Sequence, residues 1–388
     1  LGYYYSTTHD AFFRRNVVLT NPDYLLNADT LRYNTKTEIA YLLGPSRIDG
    51  KDECLYAQFG TYNTKTDEAF YSHHAKYENA TQQLLGDSLY YNRAKGKGKA
   101  MEHVIFKDTV QNMLIVGNFG NYDKATETTF VTDSAVLIVV PEKDSLGNAD
   151  SLFIVADTML TTFDSTKLYR VLYAYHDVRL FKKDLQARCD SMFYSNADSL
   201  VRCFKKPIAW AEKSQMTADF ITIQLKNQQI HQLNLYNSAF IISPEDSINF
   251  DQVKGKNMYG SFVDNQLKTM LVEGNGQSMY FAREDSGNYI GMNQSECSNM
   301  LIRFNNNKVE AITFITRPDA TFYPIDQLPE QQKLKGFKWM IGLKPNSKQD
   351  LFKDRILSTK KTTTPVKKAI VPANEKAKSK KKPIVKKR

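Results

Sequence analysis

The sequence predicts an all-β protein, a stack of β-hairpins of the jelly-roll or solenoid kind. Long stretches rich in Tyr, Phe, Ile, Val and Thr are broken by Asn, Asp and Gly, which is the pattern of many short strands. Only 5 of the 12 prolines fall within residues 1–317, and helical spacing is nearly absent, with one weak candidate at 182–188. A hydrophobic content of 41% and an aromatic content of 12% exclude an intrinsically disordered body.

One five-residue motif repeats without change. Tyr-Asn-Thr-Lys-Thr stands at residues 33–37 and again at 62–66, 29 residues later, and an acid follows each copy. A shorter unit consists of a small residue, then Asp, then Ser or Thr, then an apolar residue. Its copies begin at Ala28, Gly86, Ala156, Cys189 and Ala197. Such repetition indicates an array of similar supersecondary units.

The short unit predicts how each strand is oriented. Alternate residues of a strand share a face, so Asp29, Leu31 and Tyr33 are expected to align, with Asp at the start of the strand. An Asp in that place can accept hydrogen bonds from nearby backbone N–H groups, and the small residue before it permits a tight corner. The Asp residues are therefore interpreted as corner pieces without chemistry.

A second series of hairpins follows, with Asn-rich turns. Strand-like segments at 220–225 and 230–235 flank a turn at 226–228, and segments at 258–263 and 267–272 flank Asp264-Asn265. A third pair, 300–304 and 309–315, flanks three consecutive Asn residues. The repeat lengths vary, which excludes a rigid array of the ankyrin type and favours stacked hairpins.

Charge divides the chain unevenly. Residues 353–388 hold 14 Lys and Arg against 2 Asp and Glu, whereas the other residues hold 38 against 40. The net charge of +10 therefore belongs to a basic tail, either a solvated extension or a weak ligand for anionic surfaces. The tail has no aromatic residue beyond Phe352, so nucleic-acid binding is not expected.

We predict jelly-roll repeats over 1–245, further hairpin repeats of the same type over 246–350, and a disordered Lys-rich tail over 351–388.

Motifs for catalysis or metal binding are absent from the sequence. It contains no GxSxG, HExxH, EF-hand or Walker A pattern, and residues 96–99 (Gly-Lys-Gly-Lys) are interpreted as a turn. The adjacent His73 and His74 would point to opposite faces of a strand and could not easily chelate one ion. Cys54, Cys189, Cys203 and Cys297 show no zinc spacing, although Cys189 and Cys203 could face each other across a hairpin. We therefore expect no enzyme activity, no cofactor and no metal.

The repeated units, in their number and order, resemble the OstA-like family, which includes the LptA-type lipopolysaccharide-transport proteins, and specifically its long form. The resemblance covers about residues 20–350, with supporting stretches at 28–33, 85–91, 184–191, 250–258, 318–324 and 336–339. It implies a jelly-roll whose two sheets open like a V around lipid A acyl chains. It also implies a periplasmic location, consistent with an N-terminus, Leu1-Gly2-Tyr3, that looks processed or truncated.

Two functions from different classes remain open. One is a non-enzymatic carrier or bridge for lipopolysaccharide, which would pair strands with other jelly-roll components of the envelope or with itself. The other is a structural or glycan- or protein-binding β-solenoid. If the sheets splay, the predicted lipid-binding apolar stripe comprises Leu31, Tyr33, Leu89, Tyr91, Met159, Met192, Tyr194, Leu200, Ile221 and Ile223; if they close, the same residues form a core.

Overall fold

The computed structural model describes residues 1–353, apart from 23, 111, 141–149, 227–228, 265, 285, 306–307 and 331. The described residues form 23 β-strands, and their helical structure is limited to three short 3-10 helices. The all-β prediction is confirmed. In this part of the chain, no helix has the length and apolar character that crossing a bilayer requires.

The strands, in chain order, are β1 Gly2–Tyr5, β2 Asp10–Asn21, β3 Tyr24–Asn34, β4 Ile39–Gly50, β5 Glu53–Asn63, β6 Glu68–Asn79, β7 Gln82–Asn92, β8 Lys97–Asp108, β9 Met113–Asp123, β10 Thr128–Val139, β11 Leu152–Phe163, β12 Arg170–Lys182, β13 Leu185–Ser195, β14 Leu200–Phe204, β15 Ile208–Ala211, β16 Ser214–Thr217, β17 Phe220–Lys226, β18 Gln229–Pro244, β19 Phe250–Val263, β20 Gln266–Arg283, β21 Tyr289–Asn305, β22 Lys308–Ile315 and β23 Asp319–Pro324. The 3-10 helices are Ile325–Gln327, Ile341–Leu343 and Lys348–Leu351.

The sheet is an antiparallel meander from end to end. Strands β1 to β13 pair with their neighbours in sequence, and β18 to β21 do the same. β13 pairs with both β14 and β15, and β18 pairs with both β16 and β17. The pairs β14–β15, β16–β17 and β22–β23 are therefore two halves of single long strands that are interrupted in the middle.

Each long strand bends at its midpoint. In β2, β4, β6 and β8 the bend contains residues with positive φ, at Arg15, Gly44, His73 and Glu102, which follow each other every 29 residues. The ladder register shifts at the same points, because the bend inserts an extra residue. The bends align in one spine, and the strand halves form two sheets. Sheet A leads to the turns near residues 50–53 and 79–82, and sheet B leads to the hairpin tips at 35–38, 64–67, 93–96 and 124–127.

The predicted place of Asp29, at the start of its strand, was wrong. Asp29 lies in the middle of β3, where the register shifts between Ala28 and Thr30, and its side chain is exposed while Leu31 is buried. The extra residue at the bend breaks the strict alternation on which the alignment of Asp29 with Leu31 rested. The weak helical candidate at 182–188 was also wrong, because β12 ends and β13 begins within it.

The repeated five-residue motif forms hairpin tips of sheet B. Asn34 accepts hydrogen bonds from the backbone N–H groups of Lys36 and Thr37, at 3.1 and 2.9 Å. Asn63 caps the next tip in the same way, at 3.0 and 3.1 Å from the backbone nitrogens of residues 65 and 66. An Asn side chain that replaces a backbone acceptor is a common way to close a turn. The second hairpin series also matches the structure, as β17–β18, β19–β20 and β21–β22.

Residues 1–351 form one compact unit. Beyond it the structure describes Phe352 and Lys353. Within the first unit β18 pairs with β19 across the boundary predicted at residue 245. The segment after β23 covers sheet A: the side chain of Gln252 bonds the backbone of Gln332 and Leu334, and Leu334 is buried. The predicted disordered tail lies outside the described residues from 354 onward.

Candidate functional site

The two sheets separate in the N-terminal part of the molecule and enclose a cavity of about 870 Å³. Its walls come from the segment between Phe13 and Val131, that is, from β2 to β10. Farther along the chain the sheets pack directly on each other, and inward residues such as Ile154, Met159 and Leu180 are fully buried. The same meander is therefore an open V in its first part and a closed sandwich in the rest.

The interior of the V is apolar near the spine. Leu26 and Ala28 of sheet A meet Leu31 and Leu42 of sheet B in one core cluster, all nearly inaccessible to solvent. Farther from the spine, aliphatic residues such as Leu55 and Leu84 are only half-buried and line the cavity. Partly uncovered apolar walls of this kind are typical of sites that bind another apolar group.

A row of tyrosines follows the outer edge of sheet B. Four tyrosines occupy the equivalent position of four successive hairpins and line the cavity: Tyr33, Tyr62, Tyr91 and Tyr122. Each stands two residues before the tip residue whose backbone N–H donates to a carbonyl of the preceding tip. Tyr side chains suit such an edge, because the ring is apolar and the hydroxyl can stay wet. Burial, together with the hydrogen bond that Tyr62 donates to Asp67, raises the pKa of Tyr62 to about 12.

Two carboxylates that line the cavity are bonded to tyrosine hydroxyls. Tyr62 donates to Asp67 at 2.6 Å, and Tyr77 donates to Glu53 at 2.9 Å. Burial and the bond to Glu53 raise the pKa of Tyr77 well above its ordinary value, so this hydroxyl remains a donor. These contacts hold the tyrosines in place, and the cavity edge stays polar while its floor is apolar.

The open cavity ends where the two sheets are joined by a buried ion pair. Arg170, at the start of β12, reaches Asp108, at the end of β8, at 3.2 Å, and both side chains are 5% exposed. The guanidinium also lies over the rings of Phe163 and Phe106, at 4.4 and 5.4 Å from their centroids. Gln82 donates a further hydrogen bond to Asp108 at 3.2 Å. This cluster spans the mouth of the V and separates the cavity from the closed core.

The predicted apolar stripe is divided between the two regions. Leu31, Tyr33 and Tyr91 line the cavity, and Leu89 is buried in the adjoining core cluster. Leu200 is half-buried in β14. The closed core holds the other five, Met159, Met192, Tyr194, Ile221 and Ile223. The stripe is therefore not a single open surface.

Sequence reasoning missed several cavity residues. Tyr62 is the first residue of the second five-residue motif, so its equivalence with Tyr33 was visible in the sequence. Tyr122 was hidden because its tip reads Tyr-Asp-Lys-Ala-Thr, and Leu55 belongs to no repeated motif. The 29-residue interval, extended past the exact copies, leads to the already predicted Tyr91 and then ends two residues short of Tyr122.

The cysteines and histidines do not form a reactive centre in the described ranges. Cys189, Cys203 and Cys297 are buried free thiols, and Cys54 is half-buried. A hydrogen bond with Cys189 and burial raise the pKa of the Cys203 thiol, so the two predicted hairpin partners do adjoin each other. No three His, Cys, Asp or Glu side chains of the described residues come together as a metal site requires.

A bent antiparallel meander that opens into an apolar V defines a β-jelly-roll fold. Residues 1–87 match the family of OstA-like proteins. The resemblance seen in the sequence is confirmed for these residues, over a shorter stretch than the predicted 20–350.

The chain is also similar to a solved structure, that of LptH, the LptA homologous periplasmic component of the conserved lipopolysaccharide transport device from Pseudomonas aeruginosa. The identity is 13% and the TM-score 0.27, over 32% of this chain and 81% of that chain. No curated protein matches the sequence.

Proposed function

We propose that this protein is a non-enzymatic carrier of lipopolysaccharide, which holds the acyl chains of the lipid A portion in the open V. The observation that carries the proposal is the 870 Å³ cavity between β2 and β10, whose floor is aliphatic and whose edge is a row of tyrosines. The match of residues 1–87 to OstA-like proteins, which overlaps this region, supports it.

Transfer free energy explains how such a site works without chemistry. Each CH₂ group that leaves water gains about 0.8 kcal/mol, so a few acyl chains offset the cost of ordering the ligand. The half-buried Leu55 and Leu84 supply contact area, and the tyrosines close the edge around a headgroup that remains in water. The contacts proposed for lipid thus include Leu31, Tyr33 and Tyr91 of the predicted stripe.

The proposed setting is the periplasm, in a bridge of jelly-roll proteins. Among the described strands β1 pairs with β2 alone. The second edge of a strand in this position can pair with a further strand. Tyr3, Tyr4 and Tyr5 on this strand are 46%, 56% and 53% exposed. A strand of another jelly-roll component, or of a second copy, would continue the sheet from here.

A cavity-blocking variant tests the function. Ala40 lines the cavity between Tyr33 and Tyr62 on the neighbouring strands, so Ala40→Trp fills the space that the acyl chains would occupy. The matched control, Thr61→Trp, places the same ring on the opposite face of sheet B, beside Tyr62. The protein is purified from a Gram-negative envelope, and co-purified lipopolysaccharide is quantified. We expect the wild type and Thr61→Trp to retain lipid and Ala40→Trp to lose most of it; wild-type protein without lipid, or equal amounts in both variants, would refute the proposal.

A further inference from the structure

The side chains at the edge of sheet B change along the cavity from hydroxyl groups to cations. Thr35, Thr64, Arg93 and Lys124 occupy the equivalent position of the four tips, and each donates its backbone N–H to a carbonyl of the preceding tip, at 2.8 to 2.9 Å. The hydroxyls of Thr35 and Thr64 also bond those carbonyls, at 3.2 and 3.0 Å. The first two tips thus present bonded hydroxyls, whereas the third and fourth present cations.

Both cations face the cavity and stand on adjacent tips. Arg93 and Lys124 are exposed, and both line the cavity beside the tyrosine row. Arg93 acts electrostatically on the hydroxyls of Tyr62 and Tyr91, which places its guanidinium at the edge where those hydroxyls lie. Adjacent tips are separated by two strands, so their backbones are about 10 Å apart.

The carboxylates nearby form no ion pair with Arg93 or Lys124 in the described residues. Each tip has one residue with positive φ. This residue is acidic in the first, second and fourth tips (Glu38, Asp67 and Glu127), whereas in the third tip it is Gly96. The two carboxylates that line the cavity, Asp67 and Glu53, accept hydrogen bonds from tyrosine hydroxyls. Within the described residues, neither Arg93 nor Lys124 pairs with a carboxylate.

We propose that Arg93 and Lys124 bind the phosphate groups of an amphiphile whose acyl chains occupy the cavity. This inference rests on the proposed function and adds the headgroup chemistry to it. From spine to edge the V offers aliphatic side chains, then tyrosine rings and hydroxyls, then cations, with Arg93 and Lys124 on the tips and Lys99 on β8. Acyl chains, a sugar or glycerol backbone and phosphates follow the same order in an anionic lipid. Guanidinium and ammonium groups form strong charge-assisted hydrogen bonds with phosphate oxygens.

The test compares two ligands with the same acyl chains, bisphosphorylated lipid A and dephosphorylated lipid A. Binding to the full chain is measured for the wild type, for Arg93→Gln/Lys124→Gln and for the control Lys36→Gln/Lys65→Gln. The control removes the same charge from the same row of tips, at residues that do not line the cavity. Inorganic phosphate serves as a competitor in each titration.

We expect the wild type and the control to bind bisphosphorylated lipid A at least about tenfold more tightly than the dephosphorylated form. Arg93→Gln/Lys124→Gln should lose this preference and keep its affinity for dephosphorylated lipid A. An undiminished preference in that variant, or an equal loss in the control, would overturn the phosphate site. Displacement by inorganic phosphate of bisphosphorylated but not dephosphorylated lipid A would support it. If the wild type binds neither lipid, both the phosphate site and the carrier function fail.

Discussion

Arg170 and Asp108 are the residues at which the open V gives way to the closed sandwich. Their ion pair is almost fully removed from solvent, and Phe106 and Phe163 enclose the guanidinium. A buried pair of this kind contributes little net stability compared with apolar residues, but the loss of one partner leaves a charge in a poorly solvated place. We infer that the pair helps to fix where the sheets join, in addition to whatever stability it provides.

Arg170→Ala is expected to lower the free energy of unfolding by about 3 kcal/mol, because Asp108 would remain buried without its cation. The control is Arg47→Ala, which removes Arg47 from its exposed pair with Asp49 and should cost less than about 1 kcal/mol. Urea denaturation of both variants checks the difference. Equal costs would contradict the penalty assigned to a buried Asp108 without its cation.

Asp251 predicts a pH dependence of stability. Burial raises the pKa of this carboxyl from 3.8 to about 7, with Glu245 adding repulsion and Arg283 opposing it. The folded state therefore holds a proton that the unfolded state releases, and stability falls as the pH rises from about 4 to about 7. Asp251→Asn keeps an acceptor for the Phe281 N–H and should raise the melting temperature at pH 8, with little effect at pH 4.

Asp246 provides a control, because the pH dependence of stability expected from it has the opposite sign to that expected from Asp251. Its carboxylate accepts backbone N–H bonds from Asn249 and Ile248 and a bond from Tyr289, and these lower its pKa. The stability from these bonds is present above the unfolded pKa and is lost as the pH falls. Asp246→Asn should thus be less stable than the wild type at pH 8, and a gain there would contradict this assignment.

At the scale of the strand, the bend is the element that makes a V from a flat meander. Positive φ at one or two residues of each even-numbered strand, from β2 to β8, turns the chain, and small residues opposite let the backbones approach. Gly117 in β9 is such a residue: a Cβ there would lie 2.5 Å from Cγ1 of Val131. Side chains larger than hydrogen at this bend must push the neighbouring strand away.

Gly117→Ala is expected to cost about 1–3 kcal/mol, the usual effect of overpacking a filled site. Gly98→Ala in the adjoining strand is the matched control, because its Cβ would meet only ordinary contacts of 3.5 to 3.7 Å. Thermal unfolding of the two variants should separate them by several degrees. A Gly98→Ala variant as unstable as Gly117→Ala would argue against a steric bend.

The strands and tips were predictable because they depend on local patterns. Alternating apolar residues located β17 to β22, and the exact motif copies at Tyr33 and Tyr62 marked two equivalent tips. The bend was not predictable. The alternation of apolar and polar residues in one strand does not reveal an inserted residue, which becomes visible only when the strand is paired with its neighbour. For that reason Asp29 was expected at a strand start and lies instead at the spine.

At the scale of the molecule, the type of a side chain did not predict whether the interior around it is an open cavity or a closed core. Leu31 and Ile221 look alike in the sequence, yet one lines a cavity and the other is fully enclosed. The difference comes from the distance between sheets, which depends on long-range contacts such as that between Arg170 and Asp108. These residues are 62 positions apart in the chain.

The C-terminal segment of the first compact unit should be essential, and the tail dispensable for stability. Truncation after residue 352 is expected to leave the melting temperature unchanged, because the compact unit ends at Leu351. Truncation after Pro324 also removes Leu334, Phe337 and Trp339, which belong to one apolar cluster with Phe240 and Phe281, and should lower the melting temperature markedly. Calorimetry of the two truncated chains makes the comparison, and a large loss from the first truncation would contradict it.

Photo-cross-linking along the inner face of sheet B tests the central claim most directly. A photoreactive amino acid replaces Tyr62, Tyr91 or Tyr122 in the cavity, or Met192 in the closed core, in cells that make lipopolysaccharide. Adducts with lipopolysaccharide are expected at the three cavity positions and not at Met192. Adducts at Met192 equal to those at the tyrosines, or none at any tyrosine with the protein folded, would contradict a lipid site confined to the open V.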